Sequence, residues 1–219
     1  MMTELTAADG HRLQCWMVEA AGPARGGVVI LQEIFGVTDQ LKGVADAYAA
    51  DGYDVAIPAL FDRQQPGAVI PFSEGPRGRD LMLNARLDQT MLDVDAAAKA
   101  LAARGQKVAV IGFCWGGGLA LRAAQKLDID AAVAFYGTRL PQYLDSPLNA
   151  PLLGHFGRSD DHIPPQMLAE AQAYLPQMQV HLYDAGHAFA NDARPSYVAD
   201  AAALAHRRTR DFLARHLGD

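Results

Sequence analysis

The stretch Lys107-Val108-Ala109-Val110-Ile111-Gly112-Phe113-Cys114-Trp115-Gly116-Gly117-Gly118 decides the fold. Lys107–Phe113 reads as a strand covered on both faces, because its residues after the lysine run apolar without alternation. Gly116–Lys126 reads as the helix that follows. Between them Gly112-Phe113-Cys114-Trp115-Gly116 has the form G-x-C-x-G, a strand–nucleophile–helix elbow. Such a turn is so tight that the flanking side chains must be small, hence Gly112 and Gly116. It pushes the Cys114 side chain into a cleft and aims a helix N-terminus at the thiol, which favours the thiolate. The competing reading is a buried structural cysteine in a glycine-rich joint. A phosphate cradle at Gly116-Gly117-Gly118 is disfavoured, since no Lys-Ser/Thr follows and no G-x-G-x-x-G is present.

Outward from the elbow, strands and helices alternate. Thr3–Val18 reads as a hairpin turning at Asp9-Gly10. Gly27–Leu31 and Asp54–Pro58 read as strands, with a helix around Leu41, Val44, Ala45, Tyr48 and Ala49 that stops at Gly52. Residues 59–78 carry Pro66, Gly67, Pro71, Gly75, Pro76 and Gly78 and read as an irregular, functional or mobile loop. One helical stretch is expected from about Asp80 to Arg104. Further strands are expected at Ala131–Tyr136, Pro151–Phe156 and Val180–Tyr183, and helices at Pro165–Leu175 and Ser196–Leu217. Buried strands alternating with helices imply an α/β fold with a mainly parallel sheet and helices on both faces. No Pro/Gly/Ser-rich linker divides residues 1–219, so a single domain is expected. Ligands of such sheets sit beyond the carboxyl ends of the strands.

Composition narrows the function. Of 219 residues, 50% are hydrophobic and 20% charged, as in ordinary globular chains. Nineteen Lys and Arg against 25 Asp and Glu leave a net charge of −6, which argues against nucleic acid as a partner. The longest charge-free run, Val108–Leu121, is too short and too glycine-rich to cross a bilayer, so no membrane association is expected. The N-terminus shows no basic segment leading into an apolar core, and Cys15 and Cys114 alone exclude a disulfide scaffold. Both features fit a cytoplasmic protein with reduced thiols. Cys15 reads as a strand-face core residue.

An elbow nucleophile calls for an acid and then a histidine, in that chain order. Asp160 follows the strand Pro151–Phe156, and His187 follows Val180–Tyr183. His187 would accept the thiol proton while Asp160 orients the ring and stabilises its charged form. Asp161 is the adjacent rival for the acid. Glu33, at the end of the first parallel strand, is either solvated or part of the site. Backbone N–H groups of Ile34 and Trp115 are the candidates for an oxyanion hole. His155, Asp160, Asp161 and His162 are ligand-type residues close in the chain, but His155 lies on a strand, their spacing is irregular and no metal is expected. His206-Arg207-Arg208-Thr209-Arg210 reads as the solvated face of the last helix.

Gln32-Glu33-Ile34-Phe35-Gly36, Gly112-Phe113-Cys114-Trp115-Gly116-Gly117, Gly157-x-x-Asp160-x-x-x-Pro164 and Gly186-His187-Ala188-Phe189 together resemble the dienelactone hydrolase (carboxymethylenebutenolidase) family. The likeness runs from Gly27 to Leu217. It implies an α/β-hydrolase fold, no cofactor and a Cys-Asp-His triad of Cys114, Asp160 and His187. It implies that Glu33 contacts the resting thiol and helps deprotonate it when substrate arrives, and that Ile34 and Trp115 hold the oxyanion. The family's substrate carboxylate is clamped by arginines. Where one arginine and a supporting serine are expected, this chain has Asn191 and Ala188. Arg77, Arg79 and Arg86 lie near the second arginine position, and Tyr136 falls near the family's pocket tyrosine.

The expected activity is cysteine-dependent hydrolysis of a small lactone or ester by a monomer or weak homodimer. The rivals are a thiol redox protein using Cys114, which lacks a C-x-x-C partner, and a non-catalytic binder that kept the fold.

Overall fold

A computed structural model describes residues 1–218. The chain divides into two compact units, Met1–Ala109 and Val110–Asp219.

In the first unit, β1 (Met2–Thr6) and β2 (Arg12–Val18) form the hairpin. β2 runs antiparallel to β4 (Tyr53–Pro58), which runs parallel to β3 (Gly26–Leu31), giving the order β1-β2-β4-β3. Every residue of β3 and β4 is buried; β3 is an unbroken apolar run, and in β4 buried Asp54 accepts Ala20 N–H at 2.9 Å and the Gln106 amide at 2.7 Å. The helices α1 (Asp39–Ala50) and α3 (Leu87–Ala102) pack on these strands. Thr38 caps α1 by accepting the Leu41 N–H at 3.2 Å. Cys15 sits in this core, fully buried, and burial pushes its thiol up to about 12. It is an apolar filler rather than a nucleophile.

The glycine- and proline-rich stretch after β4 is more ordered than its composition suggests. Buried Asp62 accepts the backbone N–H groups of Gln14 and Gly67, each at 2.8 Å, and Gln32 Oε1 accepts Leu60 N–H at 3.1 Å. Buried side-chain acceptors thus replace the sheet ladder as partners for a turning backbone. Helix begins within the expected loop, as a 3-10 turn at Phe72–Glu74 followed by α2 (Gly75–Asn84). The single helix expected over 80–104 is two. Ala85 and Arg86 are extended, with ψ of 120° and 124°, before α3 starts. Asn84 donates its side-chain amide to the Asp80 carbonyl at 2.9 Å, and Thr90 Oγ1 donates to the Arg86 carbonyl, which also accepts Thr90 N–H.

The second unit continues β5 (Val108–Phe113), whose first two residues close the first unit, in the order β5-β6-β7-β8. β6 (Ala131–Phe135), β7 (Leu152–Gly157) and β8 (Gln179–Tyr183) are parallel, with Val133 opposite Leu153 and His155 opposite His181. α4 (Trp115–Lys126) packs on β6, and α6 (Ala199–Leu217) packs on β6 and β7. α5 (Pro165–Tyr174) lies between β7 and β8 in the chain. The fold is the α/β-hydrolase fold, with parallel strands each leading into a helix or a site loop.

His155 shows how this unit's interior is satisfied. It is fully buried, with Nδ1 at 2.8 Å from the Tyr183 hydroxyl and Nε2 at 3.0 Å from Thr209 Oγ1. Thr209 spends its hydroxyl proton on the Ala205 carbonyl, so it accepts from His155 Nε2–H, and Nδ1 accepts from Tyr183. Burial first, then nearby His181, His206 and Arg208, hold the imidazole well below its ordinary pKa. It is a neutral core group.

Candidate active site

Cys114 sits between β5 and α4 with φ 53° and ψ −113°, a conformation a side-chain-bearing residue adopts only under constraint. The constraint is visible. Cys114 N–H donates to the Phe135 carbonyl at 3.0 Å, and the Cys114 carbonyl accepts Gly117 N–H and Thr138 N–H, each at 3.0 Å. The elbow is thereby tied to the loop that leaves β6. A Cβ on Gly112 would stand 1.8 Å from the Gly116 carbonyl oxygen, so only glycine allows so sharp a turn. Trp115 is the first residue of α4, which places the sulfur at a helix N-terminus.

His187 follows β8, and Asp160 follows β7. The two meet, with His187 Nδ1 2.8 Å from Asp160 Oδ2. The Asp160 side chain is fully buried; that of His187 is 16% exposed. The other Asp160 oxygen, Oδ1, accepts the His162 backbone N–H at 2.8 Å. The carboxylate therefore has a partner on each oxygen and does not rotate freely. Asp161 is exposed and stands outside this pair.

With Nδ1 on Asp160, the hydrogen bond that His187 makes to Cys114 uses Nε2. Burial alone pushes the imidazole pKa down. The hydrogen bonds to Asp160 and Cys114, reinforced by their negative charge, outweigh it and raise the pKa to about 10.

Stability should carry this signature. An unfolded histidine titrates near ~6.5. Below that pH both states hold the proton and the stabilisation is present in full. As pH rises from there towards 10, only the folded state retains the proton, so the contribution falls away. The thermal midpoint of the protein is expected to fall between pH 6.5 and 10 more steeply than that of His187→Gln. Parallel curves would show that the imidazolium is not held.

Tyr136 and Ala188 frame the histidine. Tyr136, fully buried and with φ 39°, sets its ring 5.2 Å from that of His187 at 65°, and Phe189 packs behind it at 5.5 Å. Ala188 has φ 59°. Three of the four positive-φ residues that are not glycine among the described residues, Cys114, Tyr136 and Ala188, thus belong to the site or its immediate wall. Asn191 is buried, and its Oδ1 accepts Ala193 N–H at 3.1 Å.

In the first unit, Glu33 and Ile34 follow β3, with Glu33 buried and Ile34 partly exposed. α2 presses on this loop: a Cβ on Gly78 would lie 2.0 Å from the Ile34 carbonyl oxygen. The neighbours of Gly78 face water. Arg77 donates to Glu74 at 3.0 Å and Gln65 at 3.2 Å, whereas Arg79 is exposed and held by no carboxylate of the described residues. Arg86 is spent on Asp88 at 2.7 Å.

The metal cluster weighed from sequence does not assemble as drawn. His155 has both nitrogens engaged in the core, and Asp161 points to water. Asp160, His162 and His187 do bring three ligand-type atoms within 4.8 Å of one another. The proton between Asp160 and His187 already occupies that space, and a metal would have to displace it. His162 was considered in the sequence only as a ligand. Its stacking on His187, with ring centroids 4.1 Å apart and planes at 27°, was not foreseen. The legible signal was the Asp-x-His spacing of an Asx turn, which Asp160 Oδ1 and His162 N–H form.

The dienelactone hydrolase family model matches residues 13–217. The chain is 35% identical to the carboxymethylenebutenolidases of Pseudomonas putida and Pseudomonas knackmussii, across 98% of this chain and 97% of each relative. A crystal structure from Klebsiella pneumoniae, assigned provisionally as a dienelactone hydrolase, matches with a TM-score of 0.83 at 27% identity, covering 98% of both chains.

Proposed function

The chain belongs to the dienelactone hydrolase family of lactone and ester hydrolases, and from that premise we propose that it works through a thioester on Cys114, with His187 as base and Asp160 as its orienting acid. The observation that carries this reading is the 2.8 Å bond from His187 to buried Asp160, with the other imidazole nitrogen on Cys114 at a strained elbow. The thiolate attacks the carbonyl carbon, and the π pair moves onto oxygen. Collapse of this oxyanion breaks the C–O bond, and the departing oxygen takes the Nε2 proton of His187. Neutral His187 then draws a proton from water as the water attacks the thioester carbon. Sulfur leaves as thiolate, the acid is released, and the imidazolium is restored.

Trp115 N–H at the start of α4 is one donor for the oxyanion. Family likeness supports Ile34 N–H as the second donor, and Glu33 as the carboxylate that contacts the resting thiol and joins in its deprotonation. The same likeness supports a cofactor-free, cytoplasmic enzyme; the absence of a Pro/Gly/Ser-rich linker supports a single domain, and we take it to be a monomer or weak homodimer. Metal participation forms no part of this reading.

The substrate we propose is a neutral small lactone or ester. Asn191 stands where the family resemblance places an arginine, and its buried carbonyl is turned to the loop backbone. A charge-assisted hydrogen bond contributes ~1.5–3 kcal/mol, so its absence costs an anionic lactone about ten- to a hundredfold in kcat/KM. The net charge of −6 adds no long-range attraction for an anion. Tyr136 and Ala188 supply wall rather than charge, and family likeness supports Arg79 or Arg77 as the basic side chain for any substrate carboxylate. The test pairs two measurements. Quenching turnover of an activated aryl ester should trap an acyl group on the Cys114 peptide by mass spectrometry. Comparing an anionic lactone with its methyl ester at two salt concentrations should give similar kcat/KM values. No acyl adduct would overturn the cysteine route, and a strong, salt-sensitive preference for the anion would overturn the substrate class.

A further inference from the structure

We propose that His162 is a positioning residue that covers the His187–Asp160 pair with its imidazole ring and holds it in register for proton transfer. The inference rests on the reading of His187 as the base and extends it to a residue that no comparison assigns.

Three observations converge on His162. Its ring lies on that of His187, with centroids 4.1 Å apart and planes at 27°. Its backbone N–H donates at 2.8 Å to Asp160 Oδ1, the oxygen that His187 does not use, and its Nδ1 stands 3.6 Å from that same oxygen. Its side chain is 62% exposed, whereas those of His187 and Asp160 are 16% and 0% exposed. One face of the His162 ring therefore meets water while the other shields the base. Tyr136 presents its ring to His187 at 65°, so the imidazole is contacted by two rings at different inclinations. A histidine that shuttles protons between sulfur, leaving group and water must keep Nδ1 on Asp160 throughout. Water reaching that bond would compete for it, and ring rotation would break it. The stacked ring opposes both.

The ring and the backbone N–H have separable roles. His162→Ala, His162→Phe and His162→Gln all retain the N–H that fixes Asp160 Oδ1, so differences among them report the side chain alone. Stacked aromatic pairs typically contribute an amount equivalent to about two- to twelvefold in a rate or equilibrium. For a neutral aryl ester, His162→Ala is expected to lower kcat about three- to tenfold with KM nearly unchanged, because the base rather than substrate binding is affected. His162→Phe should recover most of the loss, and His162→Gln should not.

A second readout does not require turnover. The His187 Nδ1 proton, hydrogen-bonded to a buried carboxylate, should give a downfield NMR resonance protected from solvent exchange. That resonance should broaden in His162→Ala and return in His162→Phe. Unchanged kcat and an unchanged resonance in His162→Ala would overturn the proposal. So would rescue by Gln but not Phe, which would assign the effect to the polar contact with Asp160. Failure to find any ester or lactone substrate would count against the enzymatic reading alone, since the proton resonance still tests the covering role.

Discussion

Cys114→Ala is expected to lose lactone and ester turnover by a factor on the order of 10⁶, the loss typical when a triad hydrolase is stripped of its nucleophile. The backbone at residue 114 is held by hydrogen bonds from Gly117 N–H and Thr138 N–H and by its own N–H on Phe135, none of which involves sulfur. Alanine keeps all three, and the side chain is only partly buried, so the thermal midpoint should stay within a few degrees of the parent at pH 6. Folded but inactive protein is thus the expected outcome, read by circular dichroism beside the ester assay. Cys114→Ser should be poor rather than dead. A hydroxyl is far less acidic than a thiol of pKa ~8.5, and the His187–Asp160 pair is arranged for a sulfur that ionises readily. Undiminished hydrolysis by the alanine variant would sink the thioester route.

Asp160→Asn should cost on the order of 10⁴ in kcat, as when the orienting acid of a serine-protease triad is amidated. The geometry gives the reason. The His162 backbone N–H points at Oδ1 from 2.8 Å and cannot reverse its polarity. An asparagine must keep its carbonyl oxygen there, which turns its NH₂ towards His187 Nδ1. The imidazole then has to accept at Nδ1 and carry its proton on Nε2, facing sulfur, where it can no longer take a proton from the thiol. Asp161→Asn alters an exposed side chain outside the pair and should change kcat by less than about twofold. Paired steady-state kinetics of the two variants decide the matter; the reverse ranking would refute the assignment of the acid.

How much was legible in the sequence follows from how local each cause is. The elbow was readable because its requirement is steric and confined to a few residues. Gly112 must be glycine because the Gly116 carbonyl lies where its Cβ would go. The parallel strands were readable because burial on both faces leaves an unbroken apolar run, as in β3 and β5. The helix expected over 80–104 divided because Ala85 and Arg86 are extended between α2 and α3, a local backbone break that hydrophobic spacing does not record. The loop expected from its prolines and glycines was partly ordered because its own Asp62, turned inward, accepts the Gln14 and Gly67 N–H groups and Gln32 accepts Leu60 N–H from the end of β3.

The alternation of strands and helices, the turn at Cys114, and the chain order of Cys114, Asp160 and His187 are all legible in the sequence. Each of these is written in residue size, hydrophobic period or simple succession, and none needs a distant partner. Tertiary structure alone decided which of two adjacent aspartates faces His187, since neighbouring side chains in a turn diverge and only one points inward. It also decided the left-handed backbone of Tyr136 and Ala188, which the surrounding packing imposes against their own preference. The ring of His162 came onto His187 in the same way, from residues 25 positions apart in the chain that meet only when β7 and β8 lie side by side. The elbow at Cys114 is specified by local sterics. The contact of His187 with Asp160 is specified by the register of two parallel strands, and no short stretch of sequence contains that register.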